Sequence, residues 1–424
     1  MAEASPVSLG AYSRLVRNNR NFRLLWIAQV VSEIGDWLYS VALYSLLLEQ
    51  TGSARAVALA LVLQVLPQFI VAPAAGVIND RASRRRIMLL TDWARALIVL
   101  LMWVGQLPGY IWLLYVLLTL ETIGGALFEP ARSSVIPNIT RDPNEQLVAN
   151  TLSSMTWSFT LAIGSALGGL LAAAFGRGAT FTLNSLSFLL SGLLISRMRF
   201  AEPHLEQTES LQPRHLVDFS PIAEGIRYVK RDRRLLATML VKTGLALMGA
   251  NWVLLPVLGE RAFPLRHASG GMYSMSLLLG CRGIGALLGP TIAARITGAS
   301  ERGLRLGILA GFTIGALGYL CLSGAPGLLP ACLAVVFAHS GGSIAWVYST
   351  NLLQTMTDDR FRGRVFAAEY ASNTLILAMV TWTVGLFVDR GIEPRTLAFA
   401  TGVLLFLPVA LWAAALNLWR PRGE

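Results

Sequence analysis

The chain has 424 residues, of which 54% are hydrophobic and only 14% are charged, whereas a soluble globular domain carries about 25% charged residues. This composition and the mean hydropathy of +0.57 exclude water as the solvent for most of the surface. The formal net charge of +11 would suggest nucleic-acid binding in a soluble protein. Here the basic residues lie in short segments between long apolar runs, so we predict no nucleic-acid partner.

Apolar runs long enough to cross a bilayer recur along the whole chain. A hydrocarbon core of about 30 Å requires roughly 20 apolar residues in a helix. A segment in lipid must pair its own backbone amides, which favours helices throughout. The sequence therefore predicts an all-α integral membrane protein with twelve transmembrane helices. The predicted spans cover residues 24–48, 55–78, 86–106, 109–130, 147–174, 178–197, 236–258, 270–294, 303–323, 327–350, 363–388 and 395–418.

The basic residues between the spans predict the orientation in the membrane. If the N-terminus is cytoplasmic, most Lys and Arg residues outside the spans fall in cytoplasmic segments, as the positive-inside rule requires. The segments on the other side then hold only Arg55, Arg177, Arg261, Arg266, Arg390 and Arg395. We predict a multi-pass protein of a bacterial cytoplasmic membrane, with both termini in the cytoplasm.

The longest predicted cytoplasmic segment divides the spans into two sets of six. We expect an N-terminal six-helix bundle over residues 1–197, a linker over 198–235 and a C-terminal six-helix bundle over 236–424. Thr140–Asp142 and Thr357–Asp359 occupy the same place, after the fourth span of each half. Two related halves are the arrangement that underlies alternating access in transporters.

The linker itself contains a helical pattern. It begins with polar residues, and Phe219, Ile222, Ile226 and Val229 then recur at helical spacing. This pattern predicts an amphipathic helix on the cytoplasmic leaflet. A segment that only joins the halves and one that regulates them are both compatible with it.

Four short motifs identify a family resemblance. Between spans two and three the chain reads Gly76-Val-Ile-Asn-Asp80-Arg81-Ala-Ser-Arg84-Arg85-Arg86, which resembles the signature loop of the major facilitator superfamily. The other motifs are Ser32–Asp36, Pro130–Arg132 and Arg362–Val365. Together they resemble the branch of drug and siderophore exporters that includes macrolide-efflux and enterobactin-export proteins. The resemblance covers nearly the whole chain and implies two six-helix halves related by pseudo-two-fold symmetry.

The resemblance also implies a cytoplasmic gate around the signature loop. Such a gate is an ionic latch that holds the cytoplasmic side shut while the other side is open. Asp80 is expected to reach the N-terminus of span eleven, where the helix dipole favours an anion. Arg81 or Arg132 is expected to pair with Glu129. The predicted gate residues are Gly76, Asp80, Arg81, Arg84, Arg85, Glu129 and Arg132.

Four charged residues inside the spans are candidates for proton coupling or substrate binding. A charge at the bilayer centre costs about 2.5–3.5 kcal/mol on insertion scales, so it needs a partner or a wet cavity. We predict that Asp36, helped by Glu33 or Glu121, exchanges a proton for substrate. Because spans one and four line the central cavity in the superfamily, the resemblance implies that these carboxylates can face it. Arg282 is expected to pair with one of them across the halves, or to bind an anionic substrate group.

Polar and aromatic residues in the spans are further candidates for the cavity wall. Tryptophans also form belts at membrane interfaces, and His339 can equally be a packing residue. The candidates are Trp37, Gln64, Gln68, Asn251, Trp252, His339 and Trp346.

These features predict a secondary active transporter that exports a small amphiphilic molecule, such as a drug-like compound or secondary metabolite, by proton antiport and alternating access. The alternative is a siderophore, lysophospholipid or metabolite transporter in which an anionic substrate group contacts Arg282, without obligatory proton coupling. The chain lacks the Gly-x-x-x-x-Gly-Lys-Ser/Thr loop of an ATP-driven pump, and its four scattered histidines do not suggest an enzyme. We predict a monomer without cofactor or metal, whose partners are a small-molecule substrate, protons and the lipid bilayer.

Overall fold

A computed structural model describes residues 9–107, 109–203, 205, 219–265, 270–297 and 300–419. Every regular element in these ranges is helical. This is the outcome expected of a chain in lipid, where each backbone N–H and C=O must find its partner within its own segment.

Six long helices form the N-terminal half, after a short amphipathic helix over Leu9–Asn18. We number them span one to span six in chain order. They cover Arg20–Thr51, Ala54–Arg81, Arg84–Leu101, Ile111–Ile139, Pro143–Phe175 and Arg177–Ser196.

The C-terminal half repeats the pattern as spans seven to twelve. Span seven is a succession of helical segments over Arg233–Ala262, and span twelve is likewise composite over Pro394–Trp419. Spans eight to eleven cover Gly270–Thr297, Glu301–Ser323, Leu328–Met356 and Asp359–Asp389.

The prediction of twelve spans is confirmed within the described residues. Eleven of these segments are long and apolar enough to cross a membrane, and the twelfth is span one, a helix of 32 residues. Several helices extend beyond their predicted ends, as when span four continues through Pro130 to Ile139. The apolar run in the sequence covers only the part of a helix that lies in hydrocarbon. The helix itself continues beyond that run for as long as its backbone hydrogen bonds are formed.

Span three illustrates how a membrane helix distributes its side chains. Its polar residues Asp92 and Arg95 are buried inside the bundle. Its large apolar residues point outward at intervals of three and four positions, as expected for one helical face. The exposed residues of this face are Leu90, Trp93, Leu97, Leu100 and Leu101. Hydrocarbon is the solvent that this surface fits.

Small residues bring the two halves close together where spans five and eight pack. A Cβ atom built on Gly283 would lie 2.5 Å from the backbone nitrogen of Ala162, and one on Gly280 would lie 3.2 Å from the carbonyl oxygen of that residue. Close backbone approach of this kind is how membrane helices gain packing energy without a hydrophobic driving force.

A second contact joins the halves at the end of the bundle opposite to the basic loop. There Asp389, the last residue of span eleven, accepts hydrogen bonds from the Ala54 amide at 2.6 Å and from the Ser53 hydroxyl at 2.5 Å. Its carboxylate also binds Nε of Arg55 at 2.8 Å. Asp389 therefore caps the N-terminus of span two from the other half, where the helix dipole favours an anion.

The end that carries the loop between spans two and three, which we call the basic end, is different. The Asp80 side chain is 78% exposed, and its recorded ion pair is with Arg84 of its own half at 4.0 Å. The expected contact between Asp80 and the start of span eleven is therefore not formed in this structure. Asp389 therefore joins the two halves at one end, whereas Asp80 forms no ion pair with the described residues of span eleven at the other.

The linker helix over Ser220–Val229 is present but packs on protein. Tyr228 stacks on Phe361 of span eleven with ring centroids 4.4 Å apart, Glu224 pairs with Arg364 at 2.9 Å, and Val229 is fully buried. Phe219 and Ile226 of the predicted apolar face remain exposed, so the helix contacts span eleven through only part of that face, and its position on the leaflet stays a prediction. The polar residues 206–218 lie outside the described residues.

We predict that Gly283→Ala loosens the packing of the halves. The added methyl meets the backbone of Ala162, which cannot rotate away, so spans five and eight must separate. Overpacking of this kind costs about 1–3 kcal/mol, and we expect a lower midpoint of thermal unfolding in detergent. Gly363→Ala is the matched control, because a Cβ atom there meets nothing within 4 Å. Equal midpoints for the two variants would contradict this account of the interface.

Candidate functional site

A two-part cavity lies between the halves. One part, of about 750 Å³, is lined mainly by the N-terminal half, and the other, of about 490 Å³, mainly by the C-terminal half. Both parts border Ser154 and Trp157 of span five, so they adjoin. We call them the N-half chamber and the C-half chamber. Each has the size of a small-molecule site.

A buried cluster of charges forms the inner wall of the N-half chamber. Arg95 of span three donates from Nη2 to Glu121 of span four at 2.5 Å and to Asp36 of span one at 3.1 Å. Its guanidinium also lies 4.0 Å from the ring centroid of Phe188. One arginine thus binds two carboxylates from two other helices.

The two carboxylates of this cluster differ in their access to the cavity. The Glu121 side chain is 8% exposed, whereas that of Asp36 is 31% exposed and lines the N-half chamber. Asn184 of span six donates to the second oxygen of Asp36 at 3.2 Å. Asp36 is therefore the member of the cluster that a proton or a substrate in the cavity can reach.

A chain of polar side chains continues from the centre toward the basic end. Glu33 accepts from Gln29 at 2.8 Å and from the Thr160 hydroxyl at 2.7 Å. Arg132 then donates to Gln29 at 2.9 Å and pairs with Glu129 at 2.7 Å. The Glu129 side chain is 57% exposed, so this polar wall leads from the interior toward the surface.

An aromatic stack separates the two chambers. Trp37 of span one lies parallel to Trp252 of span seven, with centroids 6.0 Å apart and an interplanar angle of 10°. Trp157 meets Trp37 edge-on at 5.9 Å. On the other side the guanidinium of Arg282 lies 3.7 Å from the Trp252 ring centroid. The stack is flat, apolar and open to both chambers.

The predicted pair between Arg282 and a carboxylate is not present. No carboxylate in the described ranges forms an ion pair with Arg282, and its Nη1 atom is buried without a hydrogen-bond partner. Asp36 and Glu121, the expected partners, bind Arg95 instead. Arg95 lies beside Asp36 and Glu121 in the same half and pairs with both carboxylates. Neither carboxylate is therefore left to pair with an arginine of the other half.

The other predicted cavity residues divide between the chambers. Asn251, Trp252, His339 and Trp346 line the C-half chamber, and Trp37 and Gln68 line the N-half chamber. Gln64 is not in the lining of either chamber, and it accepts a hydrogen bond from Tyr44 at 2.8 Å. Gln68 accepts from Tyr370 of span eleven at 3.0 Å, which is a contact between the halves.

The predicted gate residues are mostly tied to their own half. Arg84 donates to the carbonyl of Ser134 at 3.0 Å, and Arg85 donates to the carbonyl of Ser196. The Arg132–Glu129 pair is formed as predicted. Arg81 also has a partner. Gly76 leaves open space where a side chain would be.

Some charged residues in the spans were passed over by the sequence analysis. Arg95 organises the cluster, and Lys242 of span seven pairs with Glu369 of span eleven at 2.8 Å, both buried. The signal that could have identified them was the one used for Asp36, because all of them are charges inside a predicted span. Among the described residues there is no group of three or more His, Cys, Asp or Glu able to hold a metal.

The chain is similar in sequence to known membrane transporters. The family model described as transmembrane secretion effector matches residues 11–421. The MFS-type transporter YfiS of Bacillus subtilis is 28% identical over 85% of each chain. The putative bacilysin exporter BacE of Bacillus amyloliquefaciens is 25% identical over 76% of this chain and 77% of that one. Macrolide efflux protein A of Streptococcus pyogenes is 28% identical over 52% of this chain and 54% of that one.

Solved structures show the same fold at low sequence identity. A POT family transporter in complex with 5-aminolevulinic acid matches 95% of this chain with a TM-score of 0.75 and 11% identity, over 97% of its own length. A mutant of the nucleoside transporter NupG matches 94% with a TM-score of 0.72 and 9% identity, over its whole length. These neighbours show that the chain has the same fold as solved membrane transporters. The chain belongs to the transmembrane secretion effector family of the major facilitator superfamily and is a membrane transporter.

Proposed function

We propose that this transporter exports small amphiphilic molecules across the bacterial cytoplasmic membrane in exchange for protons. The observation that carries the proposal is the position of Asp36, which shares Arg95 with Glu121 and faces the cavity. A carboxylate held in this way can lose its proton to attract a cationic substrate group, and its reprotonation releases that group. The amphiphilic preference follows from the tryptophans and the polar wall that line the same cavity.

The charge balance of the cluster supports exchange at Asp36. Arg95 makes two contacts with Glu121, at 2.8 and 2.5 Å, and one longer contact with Asp36, at 3.1 Å. Glu121 therefore satisfies the arginine when Asp36 becomes neutral. In that step the proton enters from the cavity, and Arg95 keeps a counter-ion throughout.

The relatives support the direction of transport. Macrolide efflux protein A and the putative bacilysin exporter BacE are both named for export. The distribution of basic residues supports cytoplasmic termini, so that the basic end faces the cytoplasm. A cavity accessible from the cytoplasm is the state in which an exporter loads its substrate. We further propose that the protein acts as a monomer, since each chain carries its own two-part cavity.

Alternating access in this proposal uses spans two and eleven as an antiparallel pair. Asp389 holds the outer end by capping span two while the basic end is open. When the outer end opens, Asp80 is brought to the start of span eleven, where it makes the corresponding contact. Because the spans are rigid helices, closing one end of the pair separates the other.

We predict that Asp36→Asn uncouples transport from protons. The amide cannot exchange a proton, so the acceleration of ethidium and erythromycin transport by an imposed proton gradient in inverted vesicles should fall by about tenfold or more, the effect of at least roughly 1.4 kcal/mol on a barrier. Gradient-independent exchange of the same probes should persist. Asp232→Asn, at an exposed ion pair, is the control and should transport like the wild type. An unchanged proton dependence in Asp36→Asn removes this residue from the coupling role.

We predict that Asp389→Asn favours the outward-open state. The substitution weakens the cap on span two and the ion pair with Arg55, so the outer end should open more often. Spin labels on Gln50→Cys and Arg390→Cys, in a protein whose native cysteines are replaced by serine, report the separation of the halves at that end. We expect a second, longer distance population in Asp389→Asn.

A matched control for this experiment is Glu393→Gln, which removes one exposed negative charge from the same end. It should leave the distance distribution unchanged. A second label pair at the basic end, Arg86→Cys with Gly363→Cys, should show a shorter population in Asp389→Asn. Identical distributions in Asp389→Asn and the wild type would exclude this contact as a latch.

A further inference from the structure

Arg282 is a buried cation without a counter-ion. It is 8% exposed within span eight, and its Nη1 atom is enclosed without an acceptor. Asp36, Arg95, Glu121, Lys242 and Glu369 inside the bundle each belong to an ion pair. Asp92 and Glu33 have no ion pair within the described residues but accept hydrogen bonds from hydroxyl and amide donors. An arginine guanidinium stays protonated in proteins. This position therefore keeps a positive charge that no carboxylate of the described residues neutralises.

The neighbours of Arg282 do not supply the missing acceptor. Trp252 covers one face of the guanidinium, but a cation–π contact leaves the N–H donors at the edge unused. Tyr44 and Tyr319 are near enough to interact electrostatically. Their hydroxyl hydrogens are directed to Gln64 at 2.8 Å and to the Met248 carbonyl at 3.2 Å. Neither phenol carries a negative charge.

Arg282 borders a chamber of suitable size and character. The C-half chamber of about 490 Å³ is bordered by Arg282, by tryptophans and by a few amides and hydroxyls. An apolar or aromatic body fits against Trp252 and Trp346, and an anionic group fits against the guanidinium. Planar donors in a fork geometry recognise carboxylate and phosphate oxygens.

The two chambers have opposite charge. The N-half chamber contains Asp36 and Glu33 beside an arginine that is already paired, whereas the C-half chamber contains the unpaired Arg282. The parallel rings of Trp37 and Trp252 lie between them. A molecule that lies across this stack meets negative charge at one end and positive charge at the other.

We propose that Arg282 and Trp252 form an anion-binding subsite, and that the transported molecules are zwitterionic amphiphiles whose carboxylate or phosphate binds there. The inference rests on the proposed function only in taking the cavity as the substrate path. The cationic group of the same molecule lies toward Asp36.

Matched probes test the anionic group directly. Alanyl-phenylalanine and its C-terminal amide differ only in the carboxylate, and lysophosphatidylethanolamine presents the phosphate of a lipid headgroup. Binding is measured by calorimetry on the purified full-length protein in detergent. We expect the wild type to bind at least one of the two anionic probes about tenfold or more tighter than the amide, since a hydrogen bond to a charged group has that effect. Which anionic probe binds distinguishes a free carboxylate substrate from a lipid.

Three variants assign the preference to Arg282. Arg282→Gln should abolish it, and Arg282→Lys should retain part of it, since the charge stays while the fork is lost. Arg305→Gln is the matched control, because Arg305 also lies over a tryptophan, Trp419, but has Glu301 as counter-ion at 3.1 Å. It should keep the wild-type preference.

Two further measurements separate this subsite from other roles. Without ligand, Arg282→Gln should unfold at the wild-type temperature or above, because it removes an uncompensated charge, whereas an arginine that only holds helices together would lower it. Proton-driven ethidium transport is measured in the wild type and in Arg305→Gln, so its absence would fail the proposed function alone and leave the binding preference intact. Equal affinity for anionic and neutral probes in the wild type, or an unchanged preference in Arg282→Gln, overturns the subsite.

Discussion

The sharing of Arg95 by Asp36 and Glu121 is the interaction on which the rest of the interior depends. A lone charge at this depth would cost several kcal/mol, and removing one partner of a buried pair typically costs about 3–5 kcal/mol. The cluster therefore fixes spans one, three and four relative to one another. It also leaves one carboxylate, that of Asp36, at the cavity wall, where its charge state can change without leaving Arg95 unpaired.

The second constraint is the antiparallel contact of spans two and eleven. Asp389 lies at the C-terminal end of one helix and caps the N-terminus of the other, and Asp80 holds the corresponding position at the basic end. In the structure only the Asp389 contact is formed. Together with the glycines that bring spans five and eight into backbone contact, this arrangement leaves the halves closed at one end and gives the proposed cycle a defined starting state.

The sequence predicted the spans, the family and the positions of several important charges, because hydropathy and short motifs are local properties. It predicted the local pair of Arg132 with Glu129, but not the ion pairs between different helices. Arg282 was expected to meet a carboxylate of spans one or four, but those carboxylates bind Arg95, which was not among the predicted site residues. The linker helix was likewise predicted as amphipathic, while its contacts with Phe361 and Arg364 of span eleven join residues that are far apart in the chain.

The sequence by itself determined that this chain is a membrane protein of twelve helices. Lipid leaves the backbone of a spanning segment no alternative to a helix, and the low content of charged residues is a property of the composition that folding does not change. It also determined membership of the superfamily through the loop from Gly76 to Arg86. Only the tertiary structure decided which charges neutralise one another, and that Arg282 has no counter-ion among the described residues. Pairing depends on distances across helices that are far apart in the chain, and no periodicity along a single helix encodes them.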